Sequence, residues 1–392
     1  MIFLAEARRI ISNMIQPRPA IAMPLAEAYG LVLAEDVVAD AFYPAGDRSQ
    51  MDGYVVREDA VPGSFFVAGE IPAGAIPSQA LQPGECYRIF TGALLPEGGG
   101  RVIMQEEATR EGERVMLPVF GEKKFVRQKG SEAKPGNVRL AAGSRLGAAE
   151  LAILAQLGAV QPRVIPAPRV RHLATGGELV DPSLSPGPGQ IRDTNTHLLR
   201  ALFSEVGVRD FQTSRIADDP DATAEAAETE ADLLILSGGA SVGDYDFGAA
   251  ALRKLGYQIH FDRVNLRPGK PFTFATRGAQ AAFVIPGNPV SHYVCFHAAV
   301  RLAVECFTAR PATWPAVWIP LADGATLTPD PRETWWPARV RAAEGQLTVS
   351  PKRWSSSGDT FSLAGTNALM LVNPDSPWQG RALTLLLEPP AP

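Results

Sequence analysis

The first fifteen residues, "MIFLAEARRIISNMI", place Leu4, Ala7, Ile10, Ile11, Met14 and Ile15 on one stripe, the spacing of an amphipathic helix. Between residues 53 and 135 helical periodicity is absent. The runs "GYVV", "SFFVAGEI", "ECYRIFTG", "RVIMQEE", "RVMLPVF" and "KKFVRQKG" are strand-like and separated by proline and glycine, which predicts a β-rich module. Residues 147–159, "GAAELAILAQLGA", return to helical spacing through Leu151, Leu154 and Leu157, with Gly158 as a stop. Pro162, Pro166 and Pro168 follow and mark a boundary.

From residue 169 to about residue 310 short apolar runs alternate with helical segments. "RVRHLAT", "DLLILSG" and "QAAFVIPG" predict strands, and "DTNTHLLRALFSEVG", "FGAAALRKLG" and the segment opened by Pro289 predict helices. That alternation implies a mainly parallel sheet covered on both faces. Residues 181–190, "DPSLSPGPGQ", are too rich in proline and glycine for regular structure and predict a mobile loop beside this sheet. After Pro311 the runs "AVWIPLA", "ARVRAA", "QLTVS", "ALMLVN" and "ALTLLLE" predict a small all-β domain.

A chain of 392 residues exceeds one ordinary core, and 46% hydrophobic with 20% charged residues is a globular composition. A formal charge of -5 without Lys/Arg runs argues against nucleic acid as a partner. Glu6, Arg8 and Arg9 interrupt what a secretory signal would keep apolar, and no stretch is apolar for long enough to span a bilayer. The three cysteines, Cys86, Cys295 and Cys306, lie far apart, so a reduced cytoplasmic protein without disulfides or structural zinc is expected.

Three predicted strands of the central region run into "TGGE" (175–178), "SGGASVGD" (237–244) and "PGNPVS" (286–291). Loops at the carboxyl ends of parallel strands line the ligand crevice, and their glycines let backbone N–H groups face an anion. No Walker motif occurs; Lys270 in "NLRPGKPF", with Arg267, is the cation placed to meet an oxyanion. "GASVG" also fits the nucleophile elbow of a serine hydrolase, with Ser241 as nucleophile. The loop is longer than an elbow, which favours the backbone cradle. Glu178, Asp193, Asp218, Asp219, Asp244 and Asp246 accompany the loops; Asp193 and the Asp218–Asp219 pair also fit helix caps or turns. Carboxylates beside a phosphate point to a bridging Mg²⁺, and the five histidines form no zinc motif.

Together "MDGY", "TGALLPEG" with "VIMQEE", "TGGEL", "IRDTN", "SGGASVGDYDF", "RPGKPF" and "PGNPVS", in this order over residues 47–291, resemble the molybdopterin molybdenumtransferases, the family of bacterial MoeA and the related domain of gephyrin. The resemblance implies a multidomain fold, α/β plus β. Residues 1–20 and 169–310 would form a three-layer molybdopterin-binding α/β domain with a mainly parallel sheet, and 21–46 with 136–168 a linking domain. Residues 47–135 would be the β-rich module and 311–392 a small barrel-like C-terminal β domain. It implies insertion of molybdate into adenylylated molybdopterin with release of AMP, in a cytoplasmic homodimer whose cleft combines the α/β domain with the partner's β-rich module. An adenylyltransferase and molybdoenzyme chaperones would be further partners.

By motif, Asp52, Thr91, Glu178, Asp218 and Asp246 would be catalytic, with Glu178 and Asp246 also holding Mg²⁺. Asp193, Ser237, Gly238, Gly239, Ser241, Arg267, Lys270, Pro286, Gly287, Asn288, Pro289 and Ser291 would bind substrate. Three positions depart from the family pattern: Gly177 replaces the usual Asp, Arg267 a common Lys, and Arg48 a frequent Asn. The lost carboxylate keeps a second reading open, a non-catalytic or altered-specificity pterin-binding paralogue, beside the hydrolase reading on Ser241.

Overall fold

The strand Leu233–Ser237 opens with four consecutive apolar residues because both of its faces are covered. In this computed structural model, which describes residues 1–216, 219–238, 247–311, 314–325, 330–373 and 380–388, Leu233 and Ile235 enter one core and Leu234 and Leu236 the opposite one. The chain divides into two units. One holds Met1–Ala34, Arg145–Gly147 and Gln161–Pro392, the other Glu35–Ser144 and Ala148–Val160.

In the first unit we label α1 (Leu4–Met14), β1 (Val170–Thr175), α2 (Asn195–Glu205), β2 (Phe211–Ile216), α3 (Pro220–Ala227), β3 (Leu233–Ser237), α4 (Phe247–Lys254), β4 (Gln258–Arg263), β5 (Pro271–Arg277), β6 (Gln280–Ile285), α5 (Pro289–Cys295) and α6 (Arg301–Phe307). The strand order is β2-β1-β3-β6-β5-β4. β2, β1, β3 and β6 run parallel. The β6–β5 and β5–β4 pairs are antiparallel. The expected parallel sheet therefore carries an antiparallel extension, where the hairpin β5–β6 needs no crossover helix.

Leu4, Ala7 and Ile11 of α1 join Phe272, Phe283, Phe296 and Leu302 in one core. Phe283 stacks against Phe272 at 5.5 Å and meets Phe274 at 5.0 Å. The helix expected after Pro289 is interrupted by one π-helical turn, Phe296–Val300, between α5 and α6. Within that turn His297 is buried, and neither ring nitrogen has a hydrogen-bond partner among the described residues. β2, "FQTSRI", escaped the sequence reading because this edge strand buries little and does not alternate.

The C-terminal strands Glu333–Ala343, Ala368–Val372, Arg381–Leu386 and Ala316–Pro320 neighbour one another in that order, and Gln346–Pro351 pairs with Glu333–Ala343. The two-residue strand Leu266–Arg267 joins this sheet, parallel to Glu333 and Thr334. That pairing brings "RPGKPF" alongside Arg332.

The second unit contains a six-stranded sheet in the order Gly99–Met104, Gly53–Arg57, Glu85–Ile89, Gly63–Ile71, Arg114–Leu117, Thr109–Glu111, plus the helix Ala148–Gln156. Tyr54, Val56, Phe65 and Val115 form a core with Cys86, whose thiol burial pushes up to about 12. Gly53 of "MDGY" starts a strand. A Cβ there would lie 1.9 Å from the Ile103 carbonyl oxygen, so the neighbouring strand permits only glycine.

Truncation of the stacked ring, Phe283→Ala, is expected to lower unfolding free energy by about 3–5 kcal/mol in urea denaturation. His297→Phe is expected to raise it by roughly 1 kcal/mol, because an apolar ring removes two unsatisfied buried nitrogens without leaving a cavity.

Candidate active site

The carboxyl ends of β1, β3 and β6 converge because the three strands are in parallel register: Ala174 faces Ser237, and Ser237 faces Ile285. Above them lies a cavity of about 660 Å³. Thr175, Gly176, Glu178, Gly238, Gly287 and Asn288 form its sheet-side wall, while Gly358, Thr360 and Phe361 contribute from the C-terminal β domain. Gly238 adopts φ +93°, and a Cβ would stand 2.5 Å from Thr175 Oγ1. Glycine is thus required where β3 turns, and its N–H donates to the Ile285 carbonyl at 3.0 Å.

The Pro/Gly loop also borders the cavity through Pro186 and Gln190. Its base is closed by parallel pairing of Leu179–Val180 with Ile191–Arg192. Arg192 Nε donates to the carbonyls of Pro182 and Leu184, both at 3.0 Å, and Arg215 reaches Asp181 at 3.1 Å.

A second cavity, about 350 Å³, shares Asn288 with the first. Lys270, Pro286 and Ser291 line it from the α/β domain, and Arg332, Trp354 and Ser355–Ser357 from the C-terminal domain. Val290 N–H donates to Ser357 O at 3.0 Å and fastens the serine loop to the start of α5. Asp359 folds that loop by accepting from Ser355 N–H at 3.1 Å; this bond, with the Ser355 hydroxyl and the Ser362 and Phe361 amides, lowers its pKa.

In the second unit Asp52 accepts from Thr91 N–H at 2.7 Å and from Thr91 Oγ1 at 2.8 Å. The Thr91 backbone bond, then its hydroxyl, holds this carboxyl below the usual range. "MDGY" and "TGALLPEG" are thereby joined into one carboxylate–hydroxyl element.

Family models match over three segments: the MoeA N-terminal region (domain I and II) at residues 2–158, a probable molybdopterin binding domain at 171–305, and the MoeA C-terminal region (domain IV) at 322–377. A molybdopterin molybdenumtransferase of Nostoc sp. is 38% identical over 363 residues, 88% of this chain and 83% of the relative. That of Bacillus subtilis is 34% identical over 362 residues, covering 87% and 83%. The chain belongs to the molybdopterin molybdenumtransferase family. A crystal structure of the molybdopterin biosynthesis moeA protein from Pyrococcus horikoshii OT3 superposes with a TM-score of 0.80 at 26% identity over 98% of each chain, and the multidomain α/β and β fold is the family's.

Several motif residues of this molybdenumtransferase family chain also have tasks in the fold. Asp193 is buried, and its carboxylate accepts from Thr196 N–H at 3.1 Å and Thr196 Oγ1 at 2.7 Å, the helix-start role its position suggested, in a residue that also borders the first cavity. Ser237 borders the first cavity, and its buried hydroxyl lies within hydrogen-bond distance of two histidines. Arg267 pairs with Asp330 at 2.7 Å, and Arg332 shares the same carboxylate at 3.0 Å. Arg267 therefore borders the second cavity beside a carboxylate that it shares with Arg332.

Pro286, Gly287, Asn288, Pro289 and Ser291 all border one or both cavities. Asp218, Gly239, Ser241 and Asp246 lie outside the described residues. Asp219 caps α3 by accepting from the N–H groups of Asp221 and Ala222. An added Cβ at Gly177 meets nothing within 4 Å, so the carboxylate usual in the family has room there. Arg332 and Ser355–Ser357 were missed. Their signal was the hydroxyl run in "KRWSSSGD", hidden inside a segment read only for strands.

Burial lowers the pKa of His172 to about 3 and that of His292 to about 4. The unfolded chain protonates these side chains near pH 6.5 while the native state resists, so stability is full above that pH. It is expected to fall on acidification by up to about 1.4 kcal/mol per pH unit for each histidine until the native pKa is reached. Urea titrations between neutral and mildly acid pH check this, and His172→Gln should flatten the slope.

Proposed function

We propose that this protein is a molybdenum insertase that transfers molybdate into adenylylated molybdopterin, releasing AMP and molybdenum cofactor. The observation carrying this reading is the pair of adjoining cavities that share Asn288. The larger suits a pterin nucleotide: glycine-lined strand ends leave backbone groups accessible to phosphate, and Leu179, Ile191 and Phe361 add apolar wall. The smaller suits a tetrahedral dianion. Three cations, Arg267, Arg332 and Lys270, line it, the two arginines share the carboxylate of Asp330, and hydroxyls from Ser291 and Ser355–Ser357 supply donors.

In this reading Lys270, Arg332 and Ser291 hold molybdate while the dithiolene sulfurs approach from the pterin side. An oxo group leaving as water must take up two protons. Glu178 at the first cavity is the carboxylate assigned to proton handling, and in a homodimer the partner's β-rich module would bring its own carboxylate–hydroxyl element to the cleft. A Mg²⁺ ion fits the donor set. It favours one or two carboxylates plus phosphate and water, and Glu178 borders the first cavity. Glu178 would hold it, together with Asp246, and when bound it would neutralise phosphate charge. A homodimer, a cytoplasmic location and contact with the adenylyltransferase and chaperones belong to the same reading. Among the described residues no helix is long and apolar enough to cross a membrane.

Purified protein given adenylylated molybdopterin, Mg²⁺ and molybdate is expected to release AMP and to reconstitute a molybdenum apoenzyme. Lys270→Ala and Arg332→Ala should each lower kcat/KM for molybdate by about 100-fold. Pterin binding without AMP release in the wild-type protein would replace the insertase reading with that of a binding paralogue, and Gly177→Asp would then test whether the missing carboxylate is the cause.

A further inference from the structure

Beneath the two cavities a serine lies between two histidines. His172 Nε2 is 2.7 Å from Ser237 Oγ, which is 2.6 Å from His292 Nε2. His292 Nδ1 is 3.2 Å from the Asn288 carbonyl, and His172 Nδ1 is 3.1 Å from Thr213 Oγ1. His172 and His292 are fully buried, and Ser237 is 2% exposed.

The chemistry of the end groups fixes every proton. A carbonyl only accepts, so His292 carries its proton on Nδ1 and offers Nε2 as an acceptor. Ser237 must then donate to His292, and receives in turn from the Nε2–H of His172. His172 Nδ1 is left to accept from Thr213. Thr196, 3.5 Å from the same nitrogen, donates to Asp193 and does not compete.

This arrangement is not a nucleophile with its base. The Ser237 oxygen is enclosed, an imidazole stands on each side of it, and the far end is a carbonyl where a catalytic triad has an acid. Nor can it deliver protons to a substrate, because its last acceptor is that carbonyl. What the chain of bonds does is connect β2, β1, β3 and the start of α5, and the ends of the last three line the cavities. Its last member, Asn288, is the residue common to both cavities.

We propose that His172, Ser237 and His292 are positioning residues that hold the Ser237–Gly238 turn and the Asn288 backbone in one register, so that the pterin and oxyanion cavities are aligned for transfer. The proposal rests on the insertase reading. Alignment of two bound reactants acts on the transfer step, whereas each cavity keeps its own binding groups, Lys270 and Arg332 among them.

The test compares Ser237→Ala, His292→Asn and His172→Gln with wild-type protein. Measurements are insertion kinetics, molybdate binding read from the fluorescence of Trp336 and Trp354, and thermal unfolding. His292→Asn keeps an N–H for the Asn288 carbonyl but loses the Ser237 contact, so it separates the two links. In variants that remain folded, kcat is expected to fall on the order of 10-fold to 100-fold while the molybdate Kd stays within about threefold. Unchanged kcat in folded variants overturns the proposal, as does a Kd that weakens in step with kcat, which would mean a collapsed cavity. Absence of turnover in the wild-type protein defeats the insertase reading instead. Nitrogen NMR of the imidazoles then decides the direction of the hydrogen-bond chain: neutral His292 protonated on Nδ1 with His172 protonated on Nε2, both altered in Ser237→Ala, supports the proposal, and any other tautomer pair overturns it.

Discussion

Burial of both faces of β1, β3 and β6 is the constraint on which the site depends. These three strands run parallel and in register, and parallel register sends three successive loops out at the same end of the sheet. The alternation of Leu233 and Ile235 into one core and Leu234 and Leu236 into the other leaves the strand no freedom to slip, since a one-residue shift would exchange the two faces. Gly238 then turns in a space too small for any side chain.

A second constraint is the short parallel pairing of Leu266–Arg267 with Glu333–Thr334. It commits the C-terminal β domain to the same edge of the α/β domain and sets Arg332 and the serine loop opposite Lys270. The cations there are not simply gathered. Arg267 and Arg332 are both ordered by Asp330, whose carboxyl is held below its usual range by hydrogen bonds from Arg332 and then by the charges of Arg332 and Arg267. One carboxylate thus fixes two guanidinium groups, leaving Lys270 as the cation best placed to respond to an arriving anion.

Hydrophobic periodicity determined the amphipathic first helix, the α/β alternation and the β-rich segments, because each local pattern reports which face is buried. The loop motifs determined the family, and they marked the positions that border the cavities in the first unit and form the Asp52–Thr91 element in the second. Tertiary structure alone decided which groups are spent on the fold. Ser237 looks in a linear reading like one more loop hydroxyl, yet its oxygen is held between two histidines drawn from elements 65 and 55 residues away. Arg332 and Ser355–Ser357 were invisible as site residues for the converse reason. Local pattern encodes burial of a segment against its own core, whereas a cavity wall shared by two domains depends on long-range register, which no short window of sequence contains.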